Sequence, residues 1–136
     1  MSATPQQIQL VKASLQRCFR QADFLDIFYQ TFLASSEDIK KMFENTEFGR
    51  QKIMLKGSLH VMLMLAGGKM QDQSGLQNLA KIHDRDHRNI PPPYYDLWLE
   101  SIIWAVERSD PEFDDNLDQA WRAAMQPGIE FMRSKY

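Results

Sequence analysis

Apolar residues recur three and four positions apart along most of the chain, the spacing that gathers side chains on one face of an α-helix. The first such stripe is Ile8, Val11, Leu15, Cys18 and Phe19. Thr4-Pro5-Gln6-Gln7 precedes it as a capping box, with threonine at the cap, proline at the first helical position and glutamine three residues on. The phase changes around Gln21-Ala22-Asp23, where Asp23 is expected to cap a second helix. That helix carries an aromatic face of Phe24, Leu25, Phe28, Tyr29, Phe32 and Leu33, and Ser35-Ser36-Glu37 ends it. A short turn or helix from Glu37 to Phe43 and a polar loop, Glu44-Asn45-Thr46-Glu47, lead to a long helix from about Phe48 to Ala66. Gly67-Gly68 marks its end, because glycine accepts the left-handed backbone that stops a helix.

A polar connector from Lys69 to Gly75 follows, and Ser74 is expected to cap a helix with Leu76, Leu79, Ala80 and His83 on one face. Pro91-Pro92-Pro93 cannot continue it, since each lacks the N–H and pushes its predecessor toward extended geometry. Beyond this corner Tyr95, Trp98, Leu99, Ile102, Ile103 and Val106 form a strong amphipathic stripe, broken at Arg108-Ser109-Asp110-Pro111. Leu117, Ala120, Trp121, Ala124, Phe131 and Met132 define the last helix, which Pro127-Gly128 is expected to kink or split. All three tryptophans, Trp98, Trp104 and Trp121, read as core. With no run of alternating β-branched residues and no repeat, the pattern implies an all-α fold. About six to eight unequal helices fit packing around a pocket better than equal bundle rods do.

The long helix has no unique buried face. Ile53, Met54, Leu59, Val61 and Met62 make it apolar around much of its girth. One register turns Gln51 and Leu55 inward, with Lys52 and Lys56 near the edge; a shifted one turns Lys56 and His60 inward.

Composition narrows the function classes. The 136 residues (15.9 kDa) suit a single domain, 1–136, with one substantial core. At 43% hydrophobic and 25% charged the chain is too apolar for disorder. A net charge of −2 and a pI near 5.9 give no reason to expect nucleic acid or an anionic membrane as partner. The lone Cys18 excludes an internal disulfide and fits a reducing compartment. The start lacks a basic-then-apolar leader, and the longest apolar run, Leu59 to Gly68, is interrupted by His60 and too short to span a bilayer. A cytoplasmic location is expected.

The chemically unusual residue is His83, an imidazole on an apolar face just before a rigid corner. By residue type alone, a core or surface histidine is commoner than a ligand. His83 and His87 are four apart, a zinc spacing, but neither a nearby cysteine nor a general-base glutamate between them completes such a site.

Leu79-Ala80-x-x-His83, followed by Ile90-Pro91-x-x-x-Tyr95, resembles the proximal-histidine segment of haem globins. Phe28-Tyr29, with Phe43 fourteen residues after the tyrosine, is similar to the bacterial globin pattern, and Gln51 lies 32 residues before His83. Together Tyr29, Gln51, Leu55 and His83 resemble the pocket set of the haem domain of flavohaemoglobins and related single-domain bacterial globins, over about Thr4 to Met132. The resemblance implies a globin-like fold around a haem b pocket. It makes His83 the iron's axial ligand, lays Phe43 on the porphyrin and turns Tyr29, Gln51 and Leu55 toward the gas. His87 would bond a propionate or stand in solvent, and Tyr94 or Tyr95 would occupy the place of the family's proximal tyrosine. That tyrosine's glutamate partner has no counterpart, Glu130 being off-register. The implied function is reversible binding of O₂, CO and NO at ferrous iron. The alternatives are nitric oxide dioxygenation with a separate reductase, a gas sensor acting through a partner, and an interaction domain without haem.

Overall fold

Local capping sets most of the helix ends. In the computed structural model, which describes residues 3–68, 77, 80, 81, 83 and 90–135, helix α1 spans Pro5–Phe19. The Thr4 hydroxyl accepts from the Gln7 N–H at 3.1 Å, and the Gln7 side chain accepts from the Thr4 N–H at 3.0 Å, so the capping box is complete. Helix α2 spans Phe24–Ala34. Asp23 sits at its N-cap but makes no side-chain cap bond, contrary to expectation. Its φ of −104° and ψ of 6° depart from the extended geometry that aims a cap side chain back at the first turn. Helix α3, Glu37–Met42, is capped by the Ser36 hydroxyl.

Helix α4 spans Phe48–Ala66. Its cap is the Glu47 carboxylate, which accepts from the N–H groups of Gly49 (3.0 Å) and Arg50 (2.7 Å) and also meets the positive end of the helix dipole. Gly68, at φ +68°, turns the chain out of α4. Residues 77, 80, 81 and 83 are helical, with Ala80 buried. The expected connector 69–75, the Ser74 cap, Leu76, Leu79 and His87 lie outside the described residues.

Helix α5, Pro93–Ser109, starts on the last of the three prolines, whose fixed φ suits the first helical position. Helix α6, Asp115–Ser134, is capped by Asp114 and runs through Pro127 without splitting. Buried Met125, Gly128, Ile129 and Met132 hold both sides of that proline against the rest of the molecule. Among the described residues there are six bounded helices and no strand, and no helix is long and apolar enough to cross a membrane.

The heaviest packing is of α2 on α5 and of α6 on both α1 and α4. Where α4 meets α6 the approach is close enough to require glycine: a Cβ at Gly128 would lie 2.7 Å from Met62 Cε and 2.9 Å from its Cγ. Trp121 is fully buried, as expected, and Trp98 is half-buried. Trp104 departs from the expectation at 46% exposed. It lies off the stripe that α5 buries, and the Arg108 guanidinium one turn on covers its ring at 3.1 Å.

One polar cluster lies inside the core. Asp110, just past α5, is buried and accepts from Ser14 Oγ (2.6 Å), Arg17 Nε (2.6 Å), Arg17 Nη2 (2.9 Å) and the Glu112 N–H (2.9 Å). Trp121 Nε1 donates to Ser14 Oγ at 3.0 Å. These bonds tie α1 to the turn between α5 and α6. Burial pushes the Asp110 carboxyl pKa up, but the bonds from Arg17, Ser14 and the Glu112 N–H outweigh it and hold it below the usual carboxylate range. Beside it the buried Cys18 thiol is pushed up to about 12 by desolvation, which leaves it an inert core residue.

Candidate functional site

The helices enclose a cavity of about 1050 Å³, its open mouth included. Helix α2 contributes Phe28, Tyr29 and Phe32, and the end of α3 contributes Ile39, Met42 and Phe43. Helix α4 contributes Gln51, Met54, Leu55, Ser58 and Met62 at helical spacing. His83 and Ile90 come from the chain before the three prolines, Tyr94, Tyr95 and Trp98 from α5, and Ile129 and Met132 from α6. None of these lining residues is Asp, Glu, Lys or Arg.

Edge-to-face aromatic contacts fix the position of Tyr29. Its ring lies 4.8 Å from Phe28, 5.3 Å from Phe48 and 6.0 Å from Phe43. The residue is buried, and its hydroxyl donates to the Gln51 backbone carbonyl at 3.4 Å, a long bond. Burial raises the phenol to about 12, so it stays protonated and remains a donor at neutral pH.

Contacts on the other side of α4 show which register it takes. Gln51 and Leu55 line the cavity. Lys52 pairs with Asp26, and the Lys56 ammonium lies 4.9 Å from the centre of the Phe19 ring. His60 is exposed, stacks on Phe19 at 6.2 Å and donates from Nδ1 to the Lys56 carbonyl at 2.8 Å. Lys52 and Lys56 do not line the cavity; Asp26 and Phe19 hold their charged ends outward.

His83 is half-buried and lines the cavity, and its carbonyl accepts from the Ile90 N–H at 3.0 Å. Of the two candidate tyrosines, Tyr95 is buried against the cavity. Tyr94 stands at its edge and donates to Asp38 on α3 at 2.8 Å, a bond that raises the phenol pKa. Glu130 does not line the cavity; it accepts from Gln126 (2.6 Å) and Arg133 (3.2 Å). His87 lies outside the described residues, so the structure brings together Tyr29, Phe43, Gln51, Leu55, His83 and Tyr95 from the expected set.

Sequence reasoning missed Ser58, Met42, Met54, Met62, Ile129 and Met132 as lining residues, and it read Trp98 only as core. For the α4 members the signal was available. Once Gln51 is inward, positions 54, 55, 58 and 62 follow from helical spacing. The others depend on how distant helices meet.

Comparison with known proteins gives concordant findings. Residues 26–129 match the family model described as Globin. A crystal structure of a protein from Pseudomonas aeruginosa PAO1, described as structurally highly homologous to a human hemoglobin, is similar with a TM-score of 0.91 and 35% identity. The similarity covers 96% of this chain and 98% of that one. No curated protein matches the chain.

Proposed function

The chain belongs to the globin family, and on that premise we propose that its cavity holds haem b with His83 as the iron's axial ligand and reversibly binds O₂ and other diatomic gases. The observation that carries this is the lining itself. Among the described residues, the cavity lining is largely apolar, carries no Asp, Glu, Lys or Arg, and presents one imidazole, His83, together with a buried phenol held protonated. A flat apolar macrocycle with a central metal calls for that combination: walls that disfavour its loss to water and one nitrogen donor for the metal.

Ferrous haem with a single axial histidine supplies an open coordination position for a diatomic ligand. The protein's own residues do the rest. Phe43 and Tyr95, which line the cavity, would hold the macrocycle by apolar contact. Leu55 and Phe28, also in the lining, would restrict the space beside a bound gas and keep water out. Tyr29 holds its proton at neutral pH and makes only a long bond to the Gln51 carbonyl, so its hydroxyl is available to donate to a bound gas. The Gln51 amide, from α4, is a second donor. Each such bond to a partly charged acceptor contributes about 1.5–3 kcal/mol. Carriage of gas is preferred to dioxygenation because Glu130, the last helix's candidate for the family's proximal glutamate, is off-register and accepts from Gln126 and Arg133 instead.

The test is an absorption spectrum of the purified protein and of two variants. The expected result is a haem b spectrum, five-coordinate when ferrous and unliganded. His83→Ala should lose most of the haem, and His60→Ala should leave the spectrum unchanged. A His83→Ala protein with the parent's Soret band and ferrous spectrum would remove His83 from the role.

A further inference from the structure

The methionines divide into classes that their chemistry makes consequential. Met42, at the end of α3, is 39% exposed and Met54, on α4, is 42% exposed, and both line the cavity. A side chain that both lines a cavity and meets solvent stands at its mouth. Met62 and Met132 line the same cavity at 6% and 7% exposure, and Met125 is fully buried. Met64 is 48% exposed but does not line the cavity. A thioether packs like a hydrocarbon yet is readily oxidised when an oxidant can reach it.

We propose that Met42 and Met54 form a peroxide-modification site at the mouth of the cavity. Each sulfur attacks one oxygen of a hydroperoxide. A sulfur–oxygen bond forms, the oxygen–oxygen bond breaks, and the second oxygen leaves as water or an alcohol. The sulfur gives up two electrons, and the peroxide accepts them. The product is a sulfoxide, a strong hydrogen-bond acceptor in place of a flexible apolar group. Met42 precedes Phe43, and Met54 precedes Leu55, so two adjacent wall residues follow directly in the chain. Sulfoxides there bring water to the rim, and the cavity holds an apolar occupant less tightly. Reduction of the sulfoxide restores the original rim, which makes the change reversible.

The effect on retention rests on the haem reading above; the modification itself does not. The test uses the full chain as purified, saturated with CO so that any ferrous iron is capped, and exposed to hydrogen peroxide. Peptide mass spectrometry then reads oxygen uptake at each methionine. Met42 and Met54 should react within a few-fold of the rate at Met64, with Met62, Met125 and Met132 well behind. Reaction at Met64 while Met42 and Met54 lag with the buried group would overturn the proposal. After peroxide is removed, haem transfer to excess apomyoglobin should be about tenfold faster than before treatment, the cost of wetting two apolar contacts. The Met42→Leu/Met54→Leu protein, which conserves apolar volume, should show no such acceleration under the same treatment. Equal acceleration in the double variant, or none in the parent, would also overturn it. A chain that carries no haem would fail the functional reading instead, and the oxidation pattern would still be decided.

Discussion

Replacing Asp110 with alanine tests whether the buried cluster between α1 and the α5–α6 turn holds the fold together. The change removes the acceptor for Ser14 Oγ, both Arg17 nitrogens and the Glu112 N–H. Breaking one side of a buried ion pair costs about 3–5 kcal/mol when the other side is stranded. Arg17 is not wholly stranded, because its side chain is 20% exposed and its guanidinium reaches water. Ser14, fully buried, does lose its acceptor. A net loss of about 2–4 kcal/mol follows, or roughly 8–16 °C in Tm for a chain of this size. Thermal unfolding followed by far-UV circular dichroism reads it directly. Acidity supplies the sign check. The folded-state carboxyl lies below its ordinary value, so its contribution is full above the unfolded pKa and lost as pH falls through the folded one. The gap in Tm between parent and variant should therefore be widest near neutrality and shrink from about pH 5 downward. A gap of under about 2 °C at neutral pH, or one that persists unchanged in acid, would refute the assignment.

Two further outcomes concern the cavity. Tyr29→Phe should speed O₂ dissociation roughly ten- to a hundredfold and change CO dissociation far less, because bound CO is the poorer acceptor; equal effects in stopped-flow measurements would mean the hydroxyl does not bond the gas. Gln51→Leu should show the same bias at smaller size. Gly128→Ala places a Cβ 2.9 Å from Met62 Cγ and 3.4 Å from its Cβ, atoms too near the α4 backbone to swing clear. It should cost about 1–3 kcal/mol in denaturant unfolding, and a stability equal to the parent's would show that α4 and α6 part without penalty.

What could be read in the sequence follows the range of the interactions. Caps made within three residues were legible: Thr4 with Gln7, and Gly67-Gly68 after α4. Asp23 looked equally suitable, but its backbone angles, set by how α1 hands over to α2, turn its carboxylate away. Glu47 caps α4 although glutamate is not among the favoured cap residues, so its type gave no warning. Family resemblance singled out Tyr29, Phe43, Gln51, Leu55, His83 and Tyr95, which the fold brings around one cavity. Periodicity could not choose the face of α4, where apolar residues surround the helix. Asp26 and Phe19, from other parts of the chain, hold Lys52, Lys56 and His60 on its outer side. The Asp110 cluster was illegible for the same reason, since Ser14 and Arg17 lie more than ninety residues away in sequence.

Helix α1 supplies none of the cavity lining, yet it packs on α6, α5 and α4 and anchors Asp110. Its sequence therefore bears on the lifetime of the molecule in the cell and hardly at all on its choice of ligand. A destabilising change of a kilocalorie or two in α1 acts through turnover, lowering abundance while each surviving copy keeps its affinity. Evolutionary drift in α1 is thus a dial on dosage, set apart from the cavity walls that α2 to α6 supply, where, on the proposed function, drift alters specificity.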